Sequence, residues 1–250
     1  MNHDIHRVRN PWIAGGKCLL ILMLSAGTIV GTDSIETILA RMASANRQVQ
    51  DFQAISTQTT RTSLTTTPRV ETARFYRRGT SSRREIQKPT PKIVIDTPNG
   101  SVEKDLVTGT VTRATTDRHQ PMTTAANWSQ LDDLERYQRF NLSVQSETTD
   151  EWVLTGHYDT VDLTITVAKQ YGLPTRFRIV DSSAQLTMDL VQTITQSAAI
   201  PVVQKIDVTT TLRAGAQVMT VGATTEYRGI KINQGLPDSM FDVTALGIPQ

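Results

Sequence analysis

Apolar and polar residues alternate strictly along most of the chain after residue 70. In the segment 162–168, Leu163, Ile165 and Val167 would lie on one face of a strand and two threonines on the other. Side chains of a strand point alternately to opposite faces, so this period predicts antiparallel strands with one apolar and one solvated face. Such a sheet has to cover its apolar face with helices, a second sheet or a ligand.

Turn signals divide the alternating sequence into hairpins. The strongest is Asn99-Gly100, and Arg78-Gly79 separates two earlier runs. These signals predict strands over residues 53–63, 70–77, 82–87, 92–96, 101–106 and 109–114. Between residues 151 and 232 the alternation breaks about every ten residues, which predicts one long meander or open barrel. The breaks lie at residues 156–159, 172–174, 181–183, 199–201, 215 and 229.

Two segments have helical periodicity instead. Residues 34–49 place their apolar side chains on one stripe, and Asp33 with Glu36 three residues later predicts a capping box. Residues 127–140 form the second predicted helix, after a loop over residues 115–126. Two helices provide little material to cover a long sheet, and aromatic residues make up only 5% of the chain. What covers the apolar face is therefore the functional question.

The first 31 residues predict a secretory signal peptide, followed by a single domain over residues 32–250. Arg7, Arg9 and Lys17 precede an uncharged apolar run over residues 18–30, which is too short to span a membrane. Removing this leader would leave 23 basic and 23 acidic residues, so the net charge of +2 does not indicate a nucleic-acid partner. It would also remove Cys18, the only cysteine, and with it any disulfide or zinc–thiolate site. The predicted location is the periplasm.

Several segments resemble the periplasmic outer-membrane lipoprotein carriers, the LolA-like proteins. The segment VQDFQA, residues 49–54, is similar to the junction between that family's opening helix and first strand. RFYRRGTSSRREI, residues 74–86, resembles its basic hairpin, and PKIVIDTPNG, residues 91–100, resembles the strand and turn that follow. The most persuasive segment is INQGLPDSMFDVTALGIP, residues 232–249, which resembles the family's closing Asn, Pro and Phe.

This resemblance implies a mainly β fold, an unclosed antiparallel half-barrel with a helical lid over an apolar cavity. It implies a monomeric, non-catalytic carrier that binds the acyl chains of lipoproteins or other lipids and needs no cofactor. An inner-membrane donor and an outer-membrane acceptor are the partners it suggests. In the family an arginine on the hairpin strand holds the lid closed; Arg83 or Arg84 could fill that position, and Arg83 is our prediction. The alternating apolar positions predicted to line the cavity are Phe75, Ile93, Ile95, Leu163, Ile165, Phe177 and Ile179.

Other interpretations of these residues have less support. Five arginines lie between residues 74 and 84, but an alternating solvated strand face explains them without a phosphate or nucleic-acid site. His157, Asp159 and Asp162 are close in sequence, although turns rich in aspartate are common and no metal site is predicted. The sequence contains no G-x-S-x-G, no H-E-x-x-H and no glycine-rich phosphate loop.

Two further functional classes stay open at this point. A sensory module of the same fold would bind a lipid signal and act on a membrane protein, and an uncleaved leader would favour it. A secreted hydrolase would need a serine or carboxylate hydrogen-bonded to His119 or His157. The carrier is the leading hypothesis because one apolar sheet face has too little protein to cover it.

Overall fold

A single antiparallel sheet of thirteen strands forms most of the molecule. The structure is a computed structural model and describes residues 33–114 and 139–246. After the sheet come two short 3-10 helices, Asp238–Phe241 and Val243–Leu246. The other elements are α1 (Ile35–Arg47), β1 (Asp51–Thr62), β2 (Thr65–Arg78), β3 (Ser81–Lys88), β4 (Lys92–Thr97), β5 (Gly100–Asp105), β6 (Val111–Ala114), β7 (Ser143–Glu147), β8 (Glu151–Tyr158), β9 (Val161–Ala168), β10 (Leu173–Asp181), β11 (Leu186–Ser197), β12 (Ile200–Ala214) and β13 (Gln217–Ile232).

The strands follow one another as a meander, except where the first and last strands pair. The order across the sheet is β6-β5-β4-β3-β2-β1-β13-β12-β11-β10-β9-β8-β7. Pairing of β1 with β13 brings the two ends of the domain together in the middle of the sheet. Strands β6 and β7 are the two edges and do not pair with each other, so the described strands form an open half-barrel. The predicted fold class is confirmed.

Helix α1 covers one part of one face, which we call the inner face of the half-barrel. Its fully buried Ile38 and Met42 join a cluster that contains Leu154 on β8, Ile165 on β9 and Leu190 on β11. The indole of Trp152, under the same helix, lies between the side chains of Arg41 and Lys169, each 5.2 Å from the ring centre. These contacts fix the helix over β8–β11, and no other described element covers the rest of the inner face.

The cap of α1 differs from the prediction by one residue. Ser34, rather than Asp33, is the N-cap, and its hydroxyl accepts a hydrogen bond from the backbone N–H of Thr37 at 3.3 Å. The Asp33 carboxylate instead accepts a hydrogen bond from the indole N–H of Trp152 at 3.2 Å. The Asp33 carboxylate is therefore bonded to a residue distant in sequence and does not cap the helix. Residues 127–138 of the second predicted helix lie outside the described part of the chain.

Two strands differ from the alternation pattern. Strand β7 was not predicted, because Val144 is its only apolar residue. Gly229, predicted as a break, lies inside β13; the strand continues to Ile232 through a bulge opposite Gln53 and Ile55. Gly229 has a φ of 61°, a left-handed conformation that glycine adopts at little cost. Within the described residues, no helix is long and apolar enough to cross a membrane.

The segment after β13 is attached to the start of the sheet by a buried carboxylate. Asp51, 4% exposed, accepts hydrogen bonds from the backbone N–H groups of Gln234, Gly235 and Leu236 at 2.8, 2.7 and 3.2 Å. Burial by itself would raise the pKa of Asp51, but these three hydrogen bonds and the charge of Arg78 together lower it. The ionised carboxylate therefore holds the carboxy-terminal segment in place.

Replacing Asp51 with asparagine should destabilise the protein at neutral pH. We expect a loss of about 1–3 kcal/mol in the free energy of unfolding, because the asparagine NH2 group replaces one acceptor oxygen. At least one of the three N–H groups then has no acceptor, and the others keep only a neutral one. The pKa is lower in the folded state, so this contribution is present above the unfolded pKa of about 3.9 and disappears as the pH falls through the folded value. Urea unfolding at pH 7 and near pH 3 should show the difference between wild type and Asp51→Asn shrinking in acid. The exposed control, Asp150→Asn, should change little at either pH.

Candidate functional site

The uncovered half of the inner face contains a cavity of about 380 Å³. Strands β1–β4 and β10–β13 form its walls, and the last turn of α1 closes one side through Ala45 and Asn46. Its volume lies within the usual range of small-molecule sites, about 300–1,000 Å³. Among the described residues, α1 ends at Arg47, before it reaches β1 and β13, and so does not fill this space.

Three aromatic side chains form one end of the cavity. Phe52 on β1 lies between Phe75 on β2 and Tyr227 on β13, with ring centres 5.9 and 5.5 Å away, and the Phe75 and Tyr227 centres are 5.5 Å apart. Val49 and Val202 pack around the same cluster. Phe52 and Tyr227 come from opposite ends of the sequence, so only the pairing of β1 with β13 brings them together.

A smoother wall continues along β12 and β13. Val208 pairs with Ala223, Thr210 pairs with Val221, and all four residues line the cavity. From Tyr227 to Val221 this wall follows β13 for about 20 Å, at about 3.3 Å per residue. Aliphatic side chains, alanine and threonine methyl groups give it little hydrogen-bonding capacity. Such a wall suits an elongated apolar ligand.

Charged groups are concentrated next to the aromatic end. Arg84 on β3 pairs directly with Phe75, and Arg77 lies two residues further along β2 on the same face. The Arg84 guanidinium lies 3.7 Å from the Asp96 carboxylate, which also accepts a hydrogen bond from the Ser82 hydroxyl at 3.1 Å. A separation of 3.7 Å is too long for a hydrogen bond. Asp96 therefore offsets the positive charge of Arg84 but accepts no hydrogen bond from the guanidinium N–H groups.

Tyr227 belongs to the aromatic cluster and lines the cavity together with these charged groups. Burial raises the pKa of Tyr227, and the nearby positive charges of Arg77 and Arg84 oppose that shift. The phenol is therefore neutral at physiological pH and can donate a hydrogen bond. The polar end of the cavity thus combines two guanidinium groups, the hydroxyl groups of Tyr227 and Ser82, and the Asp96 carboxylate.

The seven predicted lining residues occupy three different environments. Phe75 and Phe177 line the cavity, although Phe177 is only 1% exposed and also belongs to the core. Leu163, Ile165 and Ile179 lie on the inner face but are buried in the cluster beneath α1. Whether any of them contacts a lipid stays a prediction.

Ile93 and Ile95 lie on the opposite, outer face of the sheet. Val94 pairs with Arg84 and Asp96 pairs with Ser82, which puts the two isoleucines on the side away from the cavity. There Ile95 packs against Val102 and Leu246 of the carboxy-terminal segment. Consecutive apolar residues give β4 two apolar faces, so alternation could not identify the inner one.

Sequence reasoning missed the residues of β12 and β13 that line the cavity. Val208, Val221, Ala223 and Tyr227 alternate with polar residues as regularly as the core strands do. The frequent threonines and the small Ala223 could have indicated a cavity wall, because a core strand under a helix would carry larger side chains. Their place in the cavity wall could be recognised only from the pairing of β13 with β1.

Arg83 binds the carboxy-terminal segment. Its guanidinium donates a hydrogen bond to the backbone carbonyl of Met240 at 3.0 Å and another to Glu85 at 2.9 Å. It lies on the outer face, next to Ile95, with which it pairs. The predicted lid helix lies mainly outside the described residues, so the lid-closing role of Arg83 stays a prediction.

Replacing Arg83 with glutamine should loosen the carboxy-terminal segment. We expect faster amide hydrogen exchange over residues 238–246 and a loss of about 1–2 kcal/mol in the free energy of unfolding. Arg74→Gln is the matched control, because Arg74 is an exposed arginine on the adjacent strand. Equal exchange in both variants would show that the bond to Met240 does not hold this segment.

A second, exposed depression surrounds His157. Its ring Nδ1 lies 2.7 Å from the Asp162 carboxylate, and Ser143 is nearby. The Ser143 hydroxyl donates to the Thr155 carbonyl at 3.5 Å, and no hydrogen bond joins it to His157 among the described residues. The Asp162 carboxylate therefore provides one of the two partners that the hydrolase hypothesis named for His157, but no described serine is hydrogen-bonded to the ring and could act as a nucleophile. His119 lies outside the described residues. Within residues 33–114 and 139–246, no group of three His, Cys, Asp or Glu side chains is placed to hold a metal.

The fold is shared with several solved bacterial proteins. A DUF1329 family protein from Desulfovibrio piger is 15% identical, with a TM-score of 0.64, over 86% of this chain and 100% of that one. A LolA superfamily protein from Nitrosomonas europaea is 12% identical, with a TM-score of 0.60, over 86% and 100% of the two chains. This chain has a LolA-like fold.

A third LolA-like structure supports the same conclusion. An outer membrane lipoprotein-sorting protein domain from Vibrio parahaemolyticus is 10% identical, with a TM-score of 0.62, over 83% of this chain and 97% of that one. No protein-family model matches the chain, and no curated protein matches it by sequence. The similarity to these structures is therefore one of fold.

Proposed function

We propose that this protein is a non-catalytic periplasmic carrier that binds the acyl chains of lipoproteins or other lipids in its cavity. It would receive them from a donor at the inner membrane and move them toward an acceptor at the outer membrane. The domain would act after loss of the predicted leader, residues 1–31. The LolA-like fold is consistent with this role, since one of the similar structures is described as a lipoprotein-sorting domain.

The observation that supports the proposal is the apolar wall of the inner face that the described residues, 33–114 and 139–246, leave uncovered. An acyl chain gains about 0.8 kcal/mol for each methylene group removed from water, so ten buried methylenes would contribute about 8 kcal/mol. Along β12 and β13, the alternation of Val208 and Thr210 and of Val221 and Ala223 offers such a chain few polar groups to desolvate. Phe52 and Phe75 add aromatic surface at one end.

The test is to purify the protein under native conditions, extract it and identify bound molecules by mass spectrometry. We expect acyl-containing lipids in near-stoichiometric amount. Protein freed of lipid should rebind a fluorescent acyl probe, and unlabelled lipid should displace it. Purified protein that contains no acyl compound and binds no acyl probe would refute the proposal.

A transfer assay separates a carrier from a sensor of the same fold. Loaded protein is mixed with acceptor vesicles, and lipid is measured in the vesicles and in the supernatant. A carrier delivers lipid and returns to the supernatant. Retention of both protein and lipid in a complex with an inner-membrane protein would instead indicate the sensory module.

A further inference from the structure

The charged end of the cavity has no function in a purely apolar carrier. A purely apolar ligand offers a guanidinium group in the cavity wall nothing to bind. Two of them, Arg77 and Arg84, nevertheless line the cavity from neighbouring strands. Glu71, the lining acid on β2, lies six residues from Arg77, about 20 Å along the strand. Asp96 also lines the cavity beside Arg84, so two positive charges and one negative charge meet at the aromatic end, away from Glu71.

We propose that Arg84, Arg77 and Tyr227 form a head-group site for an anionic amphiphile, whose carboxylate or phosphate they bind while its acyl chain lies along β12 and β13. This inference rests on the proposed function and specifies its ligand class. A planar guanidinium matches the paired oxygens of a carboxylate or phosphate, and such charge-assisted bonds are stronger than neutral ones.

Arg84 is the central residue of this site. In its pair with Asp96 the arginine side chain is 31% exposed and the aspartate only 12%, so the cation is the more accessible partner. The aspartate also accepts a hydrogen bond from Ser82. An incoming anion therefore meets the guanidinium before it meets the carboxylate.

Tyr227 joins the head-group site to the apolar wall. Its ring belongs to the aromatic cluster with Phe52 and Phe75, and it lines the same cavity as both arginines. A neutral phenol can donate a hydrogen bond to an anionic oxygen, and its ring can contact the first methylenes of the chain. A ligand with one anionic end and one apolar end satisfies both parts of the cavity.

The experiment compares three ligands with the same saturated chain: a fatty acid, an alkyl phosphate and a fatty alcohol. Binding to lipid-free protein is measured by calorimetry or probe displacement, with inorganic phosphate as a fourth arm. We expect the wild type to bind the acid, the phosphate ester or both about tenfold more tightly than the alcohol. Inorganic phosphate alone should bind far more weakly than the alkyl phosphate.

Arg84→Gln should abolish that preference. Affinity for the preferred anionic ligand should fall about tenfold, and affinity for the alcohol should change less than twofold. Arg74→Gln removes an exposed arginine of β2 outside the cavity and should leave all affinities unchanged. Arg84→Lys, which keeps the charge but loses the planar fork, should give an intermediate result. Thermal unfolding checks that each variant is folded.

The possible outcomes separate the two proposals. Equal wild-type affinity for acid, phosphate ester and alcohol would overturn the head-group site and leave the acyl carrier intact. Binding of inorganic phosphate as tight as that of the alkyl phosphate would also overturn it, because the chain would then contribute nothing. If none of the amphiphiles binds, the proposed function itself fails, and the head-group site fails with it.

Discussion

Replacing Val208 with aspartate is expected to reduce the lipid bound in the cavity at least tenfold while the sheet stays folded. Val208 is half-buried and faces the cavity in the middle of the smooth wall. A carboxylate there would have to be desolvated against the acyl chain, or take up a proton, and either cost is several kcal/mol. Val208 also packs against the edge of the core cluster, so part of the cost falls on the free protein. The open cavity still gives the aspartate access to water when no lipid is bound. The lipid-to-protein ratio after native purification measures the effect.

Thr209→Asp is the matched control for this substitution. Thr209 is the next residue on β12 and is exposed, and its side chain points away from the cavity. The same charge at nearly the same place along the strand should leave bound lipid unchanged. Equal lipid content in the two variants would mean that the acyl chain lies elsewhere. Circular dichroism and thermal unfolding distinguish lipid loss from unfolding.

Replacing Ile165 with alanine is expected to lower the free energy of unfolding by about 2–5 kcal/mol. Ile165 is 0% exposed and belongs to the same buried cluster as Ile38 and Met42 of α1. Removing its outer carbons leaves a void that helix and sheet cannot fill without moving. The loss should appear as a lower urea midpoint with an unchanged slope.

Ile55→Ala makes the same chemical change at an exposed position. Ile55 is 53% exposed on β1, so truncating it should cost less than about 1 kcal/mol. If Ile165→Ala cost as little as Ile55→Ala and also reduced bound lipid, Ile165 would be a cavity residue and α1 would not cover it. Comparing the two variants therefore tests whether Ile165 belongs to the core or to the cavity.

The sheet was predictable because its evidence is local. Alternation and turn residues act over two to ten positions, so most hairpins from β1 to β13 could be located from the sequence. Errors occurred where local signals conflict. Ile93, Val94 and Ile95 make both faces of β4 apolar, and the face under the carboxy-terminal segment could not be distinguished from the face toward the cavity.

The candidate site was only partly predictable because it depends on distant pairing. Phe75 was identified as an alternating apolar position, but Phe52 and Tyr227 contribute to the same wall through the β1–β13 pair. For Leu163 and Ile165, the sequence identified the face of the sheet but not what covers it. Their pattern marks an apolar face, yet whether a helix or a ligand covers that face depends on where α1 lies.

By itself, the sequence determined that this protein builds an open antiparallel sheet with one apolar face, because side-chain alternation and turn chemistry are local properties. Only the tertiary structure decided which part of that face is core and which is cavity. Helix α1 is thirteen residues long and covers β8–β11, so the remaining strands keep an exposed apolar wall. The length and position of α1 thus determine which part of the apolar face is buried core and which part lines the cavity.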